Sequence, residues 1–373
     1  MDKNEVMILC RAADDFGDIG IVYRLAKKLS ECRPEMHLTL VVSDLGSFHE
    51  ICRAVDPLKK TQDIVFNGST WQLIAWDADI IIPPKLGIIL ECFHCGRPAW
   101  LEKRLFSKNF TETIQIVSID NLTAEQYAEE FHLLKSGTRK ACVHKINFMP
   151  GFTEKTGGLI IAHDAESQFA RQLSVGTGKT FDILVSSYER DFTSIVKAIS
   201  DFQSTTRKPV RILLANSKNH SPFMKAWTEA DKSFEVEELP FLPQEQWDAL
   251  IKAADFSFVR GEDSLARACL SGKPFVWHAP VQDDDYQLVK VDALLERMRR
   301  HFCGADFAIL SIFWKWYNTT SAPDGEAASD NLRELLKSAA AISLADGFIN
   351  FTQSLLANGD LVNHLLDYIE SLE

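Results

Sequence analysis

Long apolar runs are missing from this 373-residue chain. None approaches the roughly 18 uninterrupted apolar residues of a membrane-spanning helix. The opening "MDKNEVMILC" also lacks the layout of a secretory signal. A cytoplasmic protein with no membrane partner is expected. Cysteine is scarce: eight residues cannot staple a chain of this length, and Cys10, Cys142 and Cys269 fall in apolar segments, as reduced core thiols do. Cys92 and Cys95 in "ECFHCGRP" form a C-x-x-C around His94, but no second pair stands at zinc-ligand spacing, so no metal is expected. Positive charge is in deficit, with 40 Lys and Arg against 52 Asp and Glu. That balance disfavours a nucleic-acid partner. No fixed-period repeat and no low-complexity tract occurs.

What is present is a 46% hydrophobic composition, enough for two cores. Strand-like and helix-like runs alternate, which implies βα units and mainly parallel sheets, an α/β fold. The first series reads "VMILC", "LTLVVSD", "DIIIP" and "TIQIVSID" as strands and "AEQYAEEFHLL" as a helix. The second reads "FDILVSSYE", "VRILLAN", "FEVEELPFL", "DFSFVRG" and "KPFVWH" as strands. Two Rossmann-like lobes follow, over residues 1–150 and 176–354. The Gly- and Thr-rich stretch 151–175 reads as a linker, partly ordered through Phe148, Phe152 and Leu159. The last helical segment, about 355–373, is expected to cross back to the first lobe.

The segment "RAADDFGDIG" follows the strand "VMILC" and precedes the helix-like "IVYRLAKKLSE". In open α/β sheets such a turn faces a ligand. A dinucleotide fingerprint would read G-x-G-x-x-G, yet only Gly17 and Gly20 stand here. Asp14, Asp15 and Asp18 would repel a phosphate, so the turn suits a cation or a hydroxyl. The plainer alternative is that Asp18 caps the helix and Asp14 and Asp15 are solvated turn residues.

The second constellation is "DFSFVRGEDSLARACLSGKPFVWH", residues 255–278. A strand ends at Val259, Gly261 turns the chain, and a helix begins with Glu262, Asp263 and Ser264. Its exposed N–H groups and positive dipole end make a phosphate site, to which Arg260 adds a bidentate contact. Glu262 and Asp263 suit sugar hydroxyls, so the implied ligand is a nucleotide sugar. The alternative is that both acids complement the helix dipole and Arg260 pairs with one of them. Upstream, "LPFLPQEQWDALIKAAD" offers Phe241 and Trp247 for stacking on a base and Gln244 for its edge, or else core packing by the same aromatics. His278 reads as a satisfied histidine rather than a base.

These segments, with "FMPGFTEKTGGL" between them, resemble one family, the protein-arginine rhamnosyltransferases of bacterial elongation factor P known as EarP. The resemblance rests on "DDFGDIG", "LPFLPQ", "FVRGEDS" and "GKPFVWH" and runs from residue 7 to about 295. It implies a GT-B fold, with two Rossmann-like lobes facing a central cleft, the first binding the acceptor and the second the nucleotide sugar. It implies an inverting, metal-independent enzyme with no cofactor, which moves L-rhamnose from dTDP-β-L-rhamnose to an arginine of elongation factor P. That modification would activate the factor for rescue of ribosomes stalled at polyproline.

Carried over by position, Asp18 is the expected general base and Asp14 an arginine-orienting partner, with Glu262 as a third catalytic group. Asp14, Asp15 and Asp18 would bind the acceptor. Tyr188, Phe241, Gln244, Arg260, Gly261, Glu262, Asp263 and Ser264 would bind the donor. The chain departs from the family at Asp15, where Asn is usual, and at "SSYE" in place of "FCYE". Without the resemblance, the donor segment alone would also permit a transferase or epimerase acting on a small molecule, or a non-catalytic protein that binds a nucleotide sugar.

Overall fold

The computed structural model describes residues 2–12, 16–78, 86–161, 168–320 and 325–372. The chain divides into two compact units, Met1–Ala162 with Asn358–Glu373, and His163–Ala357.

The first unit carries eight strands: β1 (Glu5–Cys10), β2 (His37–Val42), β3 (Thr61–Phe66), β4 (Ser69–Ala75), β5 (Ile88–Cys92), β6 (Ile114–Ile119), β7 (Lys135–Ser136) and β8 (Val143–Phe148). They lie in the order β3-β4-β2-β1-β5-β6-β8-β7. The six inner strands are parallel, and β3 and β7 run antiparallel at the edges. Helices α1 (Gly17–Cys32), α2 (Leu45–Ile51), α3 (Ala99–Leu105) and α4 (Tyr127–Phe131) join them. Val6 to Cys10 are all buried, because helices cover both faces of a parallel sheet and leave no solvent face for alternation. Successive strands lead outward from β1 through β2 to β4, and the chain then returns to place β5 on the other side of β1. That reversal makes the carboxyl ends of β1 and β5 the crevice of this sheet.

One local expectation changes, one falls outside the described residues, and one hairpin is additional. "DIIIP" lies outside the described residues, and the strand that pairs with β1 on the side away from β2 is "IILEC". The helix expected over "AEQYAEEFHLL" is only Tyr127–Phe131, and the chain behind it runs along β8 through Leu133 N–H to Asn147 O and Asn147 N–H to Leu134 O. The hairpin β3–β4 was not anticipated. Its turn is Asn67–Gly68, both at positive φ, the pairing that the twist of a two-residue hairpin demands.

The second unit has five parallel strands, β9 (Phe181–Val185), β10 (Val210–Ala215), β11 (Glu235–Leu239), β12 (Phe256–Arg260) and β13 (Phe275–His278), in the order β11-β10-β9-β12-β13. This is the 3-2-1-4-5 Rossmann order, with its reversal between β9 and β12. Its helices are α5 (Gln168–Gln172), α6 (Thr193–Thr206), α7 (His220–Glu229), α8 (Gln244–Ala253), α9 (Gly261–Ser271), α10 (Gln287–Met298), α11 (Gly304–Asn318), α12 (Glu326–Ala340) and α13 (Ile342–Ala357).

The last helix, α14 (Leu361–Ser371), belongs to the first unit. Asp360 caps it, accepting from the amides of Val362 and Asn363. The same carboxylate accepts from Ile161 N–H, so one side chain ties the helix start to the end of the first pass through this unit. Leu361, Val362, Leu365, Leu366 and Ile369 form one stripe at helical spacing and enter the first unit's core. No helix among the described residues is long and apolar enough to cross a membrane.

Candidate functional site

In the first unit β1 ends and α1 begins at the sheet's reversal point. Asp14 and Asp15 lie outside the described residues. Asp18 stands half-buried in the first turn of α1, and the residue at the cap position is Phe16, so Asp18 is not the N-cap. Its charge is felt at Cys10 and Cys92, the last residues of β1 and β5. Burial pushes both thiols up, and the charge of Asp18 adds to the shift. Cys95, whose Sγ donates to Leu9 O at 3.4 Å, is pushed up to about 11, chiefly by burial. Thiols raised by burial are packing groups, not nucleophiles. Among the described residues, no three His, Cys, Asp or Glu side chains are grouped to hold a metal ion.

The loop after β5, which the sequence marks only as a C-x-x-C around His94, forms the opposite lip of the crevice. Phe93 and His94 both take positive φ, a conformation that costs a non-glycine residue about 1 kcal/mol or more. The loop is held there by Phe93 N–H to Ile119 O, by the Cys95 thiol, and by Arg97, which pairs with buried Glu91 at 2.7 Å and with Glu102 at 2.6 Å. His94 is thereby set against Asp120 at 3.0 Å.

In the second unit, β12 ends at Arg260 and α9 starts at once with Gly261, at φ +69°. A side chain there would be strained by the backbone rather than by crowding, since a Cβ would come only to 4.0 Å from the Tyr188 hydroxyl. Glu262, Asp263 and Ser264 form the half-buried first turn. Gln244, buried at the start of α8, donates from Nε2 to Asp263 at 3.4 Å. Trp247 donates from its indole to Ser264 Oγ at 3.1 Å, so this ring is a brace between α8 and α9 and its N–H is committed to Ser264. Trp277 donates to Gly261 O at 3.1 Å and fixes the turn from β13. Phe241, on the extended segment before α8, is 44% exposed.

Tyr188 follows β9, on the other side of the reversal. The Arg260 guanidinium lies over its ring, 5.0 Å from the centroid. The structure therefore gathers Tyr188, Gln244 and Arg260 through Ser264 at one crevice. Behind them His278 is 5% exposed. Burial, then the charges of Arg190 and Arg260, push it down to about 3, so it is neutral at working pH.

A family profile described as "Elongation-Factor P (EF-P) rhamnosyltransferase EarP" matches residues 6–370. The chain belongs to the EarP family. A protein-arginine rhamnosyltransferase of Shewanella oneidensis is 29% identical over 320 residues, covering 77% of this chain and 79% of that protein. The solved structure described as the basis for EarP-mediated arginine glycosylation of translation elongation factor EF-P superposes with a TM-score of 0.62 at 20% identity, over 99% of both chains. A UDP-glucose: anthocyanidin 3-O-glucosyltransferase in complex with UDP superposes with a TM-score of 0.53 at 8% identity, over 100% of both. The fold is thus the GT-B glycosyltransferase fold, and the chain is an EarP-type protein-arginine rhamnosyltransferase.

Proposed function

We propose that the chain transfers L-rhamnose from dTDP-β-L-rhamnose to an arginine side chain of elongation factor P, with inversion at C1 and without a metal. The observation that carries this reading is the family match over residues 6–370, and the two crevices supply a chemical rationale for it. A guanidinium is a planar cation, and the acidic turn of Asp14, Asp15 and Asp18 offers carboxylates to orient it and neutralise its charge.

Asp18 is the proposed base. A carboxylate is far too weak a base to take a proton from a guanidinium in a separate step. Proton loss must accompany bond formation: the nitrogen attacks C1, the bond from C1 to the diphosphate oxygen breaks, and the proton passes to Asp18 as positive charge grows on nitrogen. The leaving diphosphate takes the electron pair. Arg260 and the amides opening α9 meet that charge as a preorganised anion site, while Glu262 and Asp263 accept from hydroxyls of the donor.

The test is incubation of the chain with elongation factor P and dTDP-β-L-rhamnose, followed by intact and fragment mass spectrometry. A gain of one deoxyhexose on a single arginine is expected. An unmodified acceptor, beside a donor that the chain binds, would refute the acceptor assignment.

A further inference from the structure

A buried polar chain stands behind the donor crevice, and the reaction as set out does not use it. His278 ends β13 directly opposite Arg260 in the register of β12. Its Nδ1 lies 3.3 Å from the backbone N of Tyr188 and 2.7 Å from Ser187 Oγ. A backbone amide can only donate, so Nδ1 is the acceptor and the ring is the neutral tautomer with its proton on Nε2. The Ser187 hydroxyl lies 2.7 Å from that of Tyr317, which closes a hydrogen-bonded row through the interior. The imidazole also meets the Tyr188 ring edge to face, at 5.2 Å and 83°. On that same ring lies the Arg260 guanidinium.

We propose that His278 is a positioning residue for the donor diphosphate: it fixes the backbone and ring of Tyr188, and Tyr188 in turn is the floor that aims Arg260. An apolar residue of similar size would fill the space but remove the acceptor that His278 offers the Tyr188 amide, which is a physical reason for a histidine at a site this dry. Burial and the two neighbouring guanidinium groups of Arg190 and Arg260 keep the ring neutral, as the accepted amide requires. The inference rests on the nucleotide-sugar reading of this crevice.

The test is calorimetric titration of the full chain with dTDP and with thymidine, comparing His278→Leu and His278→Asn with the unmutated chain. Thymidine reports the base and ribose contacts alone, so the ratio of the two affinities isolates the diphosphate. His278→Leu is expected to lower that ratio about fivefold or more, the effect of losing roughly 1 kcal/mol of aimed guanidinium contact. Asn can still accept from the Tyr188 amide, and His278→Asn is expected to restore most of the ratio. A merely structural role would weaken both ligands together. An unchanged ratio in His278→Leu, or no recovery in His278→Asn, would overturn the proposal. Where His278→Leu does not fold, Tyr188→Leu removes the floor under Arg260, and an unchanged ratio there is equally fatal. An unmutated chain that binds no dTDP would instead overturn the nucleotide-sugar reading itself.

Discussion

Truncating Leu365 to alanine should loosen the first unit and leave the second unaffected. Leu365 sits near the middle of α14, fully buried, in a stripe with Leu361, Val362, Leu366 and Ile369. The helix comes from the end of the chain, yet it packs on α1 and joins the core that contains β1. Removing three buried carbons and leaving a cavity costs about 2 to 5 kcal/mol in a well-packed core. At about 1.4 kcal/mol per decade, this lowers the protection of core amides about 30- to 4,000-fold wherever exchange requires the unit to open. Hydrogen exchange read by mass spectrometry separates the units peptide by peptide, which a single melting curve of a two-unit chain cannot do. Peptides from β1 and β5 should lose protection, while those from β9 and β12 should not. Asp367→Ala, on the exposed face of the same helix, should shift neither by more than about 0.5 kcal/mol. Equal loss in both units, or none in β1, would refute the assignment of α14 to the first core.

Arg260→Ala should weaken dTDP binding about 10- to 100-fold, the loss of charge-assisted bonds worth about 1.5 to 3 kcal/mol. An unaltered Kd by calorimetry would remove the phosphate role. Acid should destabilise the second unit through His278, whose value is about 3 folded and 6.5 when free of the fold. The unfolded chain then binds the extra proton between those values, so stability held above pH 6.5 falls as pH drops, by about 2 to 3 kcal/mol at pH 4.5. Urea midpoints of this unit at pH 7 and 4.5 should show that loss, and His278→Asn should reduce it. Equal slopes in both proteins would refute it.

Much of the fold was legible because parallel strands buried on both faces leave continuous apolar runs: "VMILC" is β1 and "FDILV" is β9. The donor crevice was legible for a related reason, since β12, Gly261 and α9 are adjacent in the chain. The β3–β4 hairpin escaped notice although Asn67–Gly68 announced it, because attention to βα alternation left no room for an antiparallel edge. His278 was legible as a satisfied histidine, but its partners and those of Trp247 were not. Trp247 braces Ser264, 17 residues on, and His278 pairs with Ser187 and Tyr188, 91 and 90 residues back. No local pattern records such a contact. The conformation of the loop after β5 was hidden for a different reason: backbone strain at Phe93 and His94 leaves no mark on residue type.

The central claim is that the acidic turn after β1 performs the chemistry through Asp18. Its most direct test is a single-turnover assay of Asp18→Asn with elongation factor P and dTDP-β-L-rhamnose, alongside calorimetric titration of the same variant with dTDP. The account predicts donor affinity within about twofold of the unmutated chain and a rate of arginine modification reduced by 10² or more, the usual contribution of a general base. Modification at the unmutated rate would contradict it.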